Sequence, residues 1–225
     1  MSKRLIIAID GPSGAGKGTI ARTLAGTLGY RHVDTGAMYR AIAWKTIEDG
    51  VPLDDESAVA ELARRADVRI GGGIVSIDGC DVTRAIRTPE MDAAAASVAR
   101  LPRVREVLVA LQRRMGRNGG VVMEGRDIGT VVFPGADVKI FLDASPEERA
   151  RRRASDPAHS GNRVGQAAVA RAIEARDRLD TTRTVSPLVI AADAVLIDTT
   201  GIPIDRVVDK VMTLVRERIE AYRSL

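Results

Sequence analysis

At 225 residues the chain suits one α/β domain with embedded smaller lobes, and a hydrophobic content of 45% is enough for a real core. No apolar run approaches the roughly 20 residues that span a bilayer. The apolar run behind Met-Ser-Lys-Arg is too short for a signal-peptide core. A single cysteine excludes an internal disulfide, so a cytoplasmic setting is expected. The formal charge of +4 invites a nucleic-acid reading, but aromatics of 3% leave little surface for base stacking and the arginines fall in short, separated clusters.

The apolar run Leu5–Asp10 predicts a buried strand. Gly11-Pro-Ser-Gly-Ala-Gly-Lys-Gly-Thr19 follows it and opens a helix carried by Ile20, Ala21, Leu24 and Leu28. Tyr30–Asp34 predicts a second strand. The stretch from about Val51 to Pro89 breaks the alternation with a short helix (Glu56–Ala66) and β-prone runs around Gly71-Gly-Gly73 and Asp78-Gly79. Those turns predict a small antiparallel insert, with Cys80 as structural filler in a hairpin. A helix after Pro102 carries Val107, Leu108 and Leu111. Gly120–Glu124, Val138–Asp143 and Ala194–Thr199 predict three more strands, all expected to be buried on both faces.

A second insertion, from about Ser145 to Pro187, holds the basic helix Arg149–Arg153, a polar turn near Asp156–Gly161 and a helix from about Gly165 to Leu179. A basic helix is ordinarily a solvated face, but an inserted helical hairpin bearing arginines opposite a phosphate loop would also make a mobile lid. The last helix starts after Pro203, with a stripe of Val207, Val208, Val211, Leu214 and Val215. The predicted fold is α/β: a five-stranded parallel sheet flanked by helices, with a small antiparallel hairpin insert and a helical lid. Its parts are a core (1–34, 98–144, 187–225), a lobe with the β insert (35–97) and the lid (145–186). No apolar stripe demands a partner, so a monomer is expected.

The loop Gly11, Pro12, Ser13, Gly14, Ala15, Gly16, Lys17, Gly18, Thr19 has the spacing of a Walker A motif. Glycines let backbone N–H groups curl around phosphate oxygens, the helix N-terminus adds partial positive charge, and Lys17 adds a full one. The bland alternative is a glycine-rich β–α turn without a ligand. A common Walker A loop places Ser or Thr directly after the lysine to hold magnesium. Here Gly18 stands there and Thr19 follows, an ending similar to nucleoside monophosphate kinases. Bound polyanionic nucleotides then account for the positive charge as well as a nucleic acid would.

Four further clusters carry chemistry. Val33-Asp-Thr-Gly-Ala-Met-Tyr-Arg40 lies at a strand end, where Thr35 is expected to cap a helix and Arg40 to face the crevice. Glu124-Gly-Arg-Asp-Ile-Gly129 places an acid where P-loop proteins carry one near magnesium, with Arg126 and Asp127 between glycines. Arg176 and Asp180 lie four apart, with Arg183 beyond, and Arg105 starts the helix after Pro102. Each also reads as a structural ion pair or a solvated arginine.

Together these motifs resemble the bacterial cytidylate kinase family over nearly the whole chain. Gly-Arg-Asp-Ile-Gly-Thr-Val-Val-Phe-Pro and the insert ending in Arg-Thr-Pro-Glu carry the resemblance most specifically. It implies transfer of the γ-phosphoryl group of ATP to CMP or dCMP, with Mg2+ carried by ATP and approached by Glu124 and Thr19 mainly through water and phosphate. It also implies that Gly11–Thr19 hold ATP, and that Arg40, Arg126 and Arg183 bind the acceptor phosphate. Arg105 and Asp127 would read cytosine, Arg176 and Asp180 would contact the sugar, and Thr35 would line the site. Lys17, Arg126, Arg183 and a lid arginine, Arg153 among Arg149, Arg152 and Arg153, would act on the transferring phosphoryl. Cytosine's N4 amine donates to a carboxylate, whereas uracil would oppose two acceptors, a mismatch of about 1–3 kcal/mol. Three departures stand out: Ala96, beside Ser97, where the family often has serine, Glu124 for an aspartate, and Thr35 for a serine. Another P-loop kinase, acting on UMP, AMP or shikimate, would share only the first motif. A GTPase switch would need an Asn-Lys-x-Asp reader, which the sequence lacks.

Overall fold

The computed structural model describes residues 3–155 and 166–224. Five short strands form a parallel sheet: β1 (Ile6–Asp10), β2 (Arg31–Asp34), β6 (Val121–Gly125), β7 (Val138–Asp143) and β8 (Val195–Asp198), in the order β2-β6-β1-β7-β8. All five are at the predicted places. The first strand is central, and its register with β6 aligns Ile9 with Glu124 and Asp10 with Gly125. The loops that leave β1, β2 and β6 therefore open on one edge of the sheet, the edge at which ligands of open α/β folds collect.

Alternation along the strands divides the core into two layers. Ala8, Val33, Val121 and Met123 face helices α2 (Thr35–Glu48), α3 (Glu56–Arg65) and α5 (Pro102–Gly116). Leu5, Ile7, Ile9 and Val122 face α1 (Lys17–Leu28) and α8 (Ile204–Arg223). The buried stripe of α8 is Val207, Val211, Met212 and Val215.

The insert is a three-stranded antiparallel sheet, β3 (Val68–Gly71), β4 (Ile74–Ile77) and β5 (Cys80–Asp81), followed by α4 (Pro89–Val98). Cys80 is exposed on β5, so it fills no core position. The basic segment forms α6 (Pro146–Ala154), and α7 runs over Gln166–Thr182, far enough to keep Arg176 and Asp180 on one helix. The expected polar turn at 156–161 and the helix start at Gly165 lie outside the described residues.

The expectation of strands buried on both faces fails at both edges of the sheet: Arg31 is exposed on β2, and β8 is open as well. It is an edge strand, with Val195 and Leu196 exposed. Val189, Ile190, Ile202 and Ile204 are exposed too, so the chain does carry surface apolar residues. Among the described residues no helix is long and apolar enough to cross a membrane.

Candidate active site

The glycine loop folds by backbone necessity. Gly11 adopts φ +145°, and a Cβ there would come within 2.0 Å of the Leu142 carbonyl oxygen on β7. No side chain fits, so the loop is pinned against the sheet as it turns into α1. Lys17 is buried and donates from Nζ to the Pro12 carbonyl at 2.6 Å. Burial, then repulsion from Arg126, lowers its pKa to about 7, against the pull of Glu124.

Asp10, the last residue of β1, is buried and accepts from the N–H groups of Ile128 (2.8 Å) and Gly129 (2.7 Å). Burial raises its pKa to about 6 although those donors pull the other way. Beyond Asp127 the chain makes one π-helical turn over Ile128–Val132, with Phe133 N–H donating to the Ile128 carbonyl at 2.7 Å. This turn, absent from the sequence reading, keeps Arg126 and Asp127 at the end of β6.

Glu124 lies against the N-terminus of α1: a Cβ on Gly18 would sit 3.4 Å from its Oε1. The same oxygen is 2.8 Å from His32 Nε2 on β2. Thr35 does not cap α2. Asp34 does, accepting from Ala37 N–H at 2.9 Å, while the buried Thr35 hydroxyl donates to the Glu124 carbonyl at 2.7 Å. A carboxylate accepts N–H more strongly than a hydroxyl does, and Thr35 is better placed to tie β6 to α2.

A cavity of about 1010 Å³ opens between these loops, lined by Ser13–Thr19, Arg40, Glu124, Arg126, Arg153 and Arg176 among others. Next to it the other predicted residues form an alternating chain of charge. Arg105 pairs with Asp127, whose Oδ1 is 3.9 Å from Arg183 NH2. Arg183 NH1 is 3.7 Å from Asp180 Oδ1, and Arg126 Nε donates to Asp180 Oδ2 at 2.7 Å. Arg105 is 3% exposed, which rules out the solvated-arginine alternative. Burial opposes ionisation of Asp180, but Arg126 and Arg176 outweigh it and hold its carboxyl below the usual range. Burial likewise works against Arg126, yet Asp180 holds its pKa up, whereas burial and the neighbouring Arg105 push Arg183 down.

The three arginines of α6 separate by position. Arg149 is buried and donates to the Ala144 and Ser13 carbonyls at 3.0 and 3.2 Å while pairing with Asp177, so it ties α6, α7 and the glycine loop together. Arg152 donates to the Thr199 hydroxyl and carbonyl at 2.9 and 2.7 Å. Arg153 reaches Asp92 on α4. The sequence reading missed Asp10 at the end of β1, His32 in β2, Asp92 in the first turn of α4 and Asp177 within α7, since none of them carries a local signature.

The sequence matches the family described as Cytidylate kinase over residues 7–217. It is 50% identical to the cytidylate kinase of Desulfitobacterium hafniense (strain Y51), covering 98% of this chain and 96% of the relative. It is 53% identical to that of Pelotomaculum thermopropionicum (93% and 95% covered) and 48% identical to that of Solibacter usitatus (99% and 97% covered). Among solved structures, a gluconokinase from Sinorhizobium meliloti 1021 superposes with TM-score 0.53 at 15% identity, covering 100% and 99% of the two chains. A shikimate kinase from Bacteroides thetaiotaomicron does so with TM-score 0.51 at 11% identity over 94% and 98%. Those two likenesses show the shared P-loop kinase fold alone. The family match and the full-length relatives agree with the loop geometry and the charge chain: the protein belongs to the cytidylate kinase family.

Proposed function

We infer that the protein transfers the γ-phosphoryl group of ATP to CMP or dCMP, giving ADP and CDP or dCDP. One observation carries the reading of the acceptor side. Arg40 Nε, Arg105 Nε, Arg176 Nε and Arg183 NH2 are buried with no hydrogen-bond partner among the described residues. A buried donor left unmade costs about 1–3 kcal/mol, a deficit that the phosphate, sugar and base of a cytidine nucleotide would remove together.

In this reading Gly11–Thr19 hold the ATP phosphates, and Lys17 moves from the Pro12 carbonyl to phosphate oxygen. Arg40, Arg126 and Arg183 grip the acceptor phosphate, Arg105 and Asp127 read cytosine, and Arg176 with Asp180 contact the sugar. Arg152, beside the glycine loop, and Arg153, on the acceptor side, bracket the space where the phosphoryl group passes. Segments 35–97 and 145–186 act as the acceptor lobe and the lid, closing out water while the sheet holds the reactants in line.

Among the described residues no group of three or more His, Cys, Asp and Glu side chains is placed to hold a metal ion. One buried acid at the α1 N-terminus and the Thr19 hydroxyl fit a Mg2+ that arrives with ATP and keeps water and phosphate as its main ligands. When bound, that ion neutralises phosphate charge.

Initial rates with CMP, dCMP, UMP and AMP under saturating ATP and magnesium test the assignment. CMP and dCMP should turn over fast, and UMP about ten- to a hundredfold more slowly. Lys17→Met and Arg126→Ala should each cut turnover by about two orders of magnitude or more in folded protein. Near-normal rates in either would refute its role.

A further inference from the structure

Asp92 sits in the first turn of α4, where an acid complements the helix dipole. Its neighbours give it a second task. Oδ1 lies 3.1 Å from Arg176 NH1 and 3.6 Å from Arg40 NH1, and Oδ2 accepts from Arg153 NH2. These guanidinium groups come from α7, α2 and α6, and all three line the cavity shared with the glycine loop. The Asp92 side chain is only 15% exposed.

Beside Asp92, between α4 and α7, lies a second cavity of about 430 Å³ walled by Ala93, Ala96, Val169, Ala172 and Leu179 among others. At its rim Asp92 of α4 pairs with Arg153 of α6 and Arg176 of α7. The cations also need a counter-charge. Burial, then repulsion from Arg126 and Arg40, pushes the Arg176 guanidinium below its usual range, and Asp92 and Asp180 oppose that shift.

We propose that Asp92 is an internal stand-in for the acceptor's phosphate, holding Arg40, Arg153 and Arg176 together in the acceptor-free enzyme and competing with the phosphate of a nucleoside monophosphate for Arg40. The proposal rests on the assignment of these arginines to the acceptor side. It makes Asp92 a positioning residue that keeps the lid's arginines at the lobe before substrate arrives and weakens acceptor binding. Like charges close together oppose each other, so the carboxylate penalises a phosphate dianion and leaves a neutral nucleoside untouched.

Calorimetric titration of CMP and of cytidine into wild type, Asp92→Asn, Asp92→Ser and Arg40→Ala tests this. Both Asp92 variants should bind CMP about three- to tenfold more tightly and cytidine within about twofold of wild type. The KM for CMP should fall by the same factor while the KM for ATP stays put. Unchanged or weaker CMP binding in a folded Asp92 variant would overturn the proposal, and so would CMP and cytidine affinities that shift together, the mark of a purely structural role. If Asp92→Asn does not fold, Asp92→Ser decides. Arg40→Ala should weaken CMP binding by about tenfold or more. An unchanged value there would instead overturn the acceptor assignment itself, and this proposal with it.

Discussion

Arg105 and Asp127 close on each other in the interior, with 3% and 8% of their side-chain surfaces exposed. Removing one partner of such a pair strands the other's charge, whereas replacing both with apolar groups does not. Asp127→Ala should lower the unfolding free energy by about 3–5 kcal/mol. The double variant Arg105→Met, Asp127→Leu should lose much less, and should lose its preference for CMP over UMP. Urea unfolding and the ratio of kcat/KM for the two nucleotides check both halves.

Lys17 enters the reaction with its pKa lowered to about 7. Phosphate oxygens raise a lysine's pKa, so ATP binding at pH 8 should take up close to one proton. At pH 6 the ammonium is already formed and uptake should vanish. Calorimetry of ATP binding in buffers of different ionisation enthalpy reads the proton count, and no uptake at pH 8 would place Lys17 away from the phosphates.

Arg149 and Arg126 separate stability from turnover. Arg149→Ala strands Asp177 and leaves the Ser13 and Ala144 carbonyls without their donor. It should cost about 3–5 kcal/mol of stability. Arg126→Ala should cut kcat far more than it lowers the unfolding midpoint, because Arg126 lines the cavity and its partner Asp180 keeps Arg176 and Arg183 beside it. Thermal melts beside initial rates for both variants decide it.

Asp10 titrates near 6 in the folded protein instead of its ordinary 3.8. An acid with a raised folded pKa binds its proton more tightly when folded, so stability falls as pH rises from about 4 to 6 and is level above. The stability difference between wild type and Asp10→Asn should therefore shrink by about 2 kcal/mol between pH 4.5 and 7. Urea titrations at pH 4.5, 5.5 and 7 measure it, and a flat difference would assign Asp10 an ordinary carboxyl.

The sheet, the insert and the phosphate loop were legible because each rests on a local rule: apolar runs of strand length, Asp-Gly and triple-glycine turns, and the spacing around Lys17. Arg126, Asp127, Arg176 and Asp180 were found because glycines and helical spacing marked them. Asp92 stayed hidden since its partners lie on α2, α6 and α7, and only tertiary assembly brings them to it. Thr35 was misread for the reverse reason. A threonine before a helix resembles a cap, and Asp34 wins that place by charge. Nothing local marked β8 as an edge, because strand order is a property of the whole sheet.

The carboxylate that ends β1 has a mechanical corollary. One side chain directly ahead of Gly11 clamps the two amides directly behind Asp127, so the glycine loop and the Arg126–Asp127 corner stand on a common footing. Strain introduced on one side is handed to the other through two short bonds. In the proposed reading, alignment of the reactants is built into the strand ends, and α6 and α7 have only to shut the door.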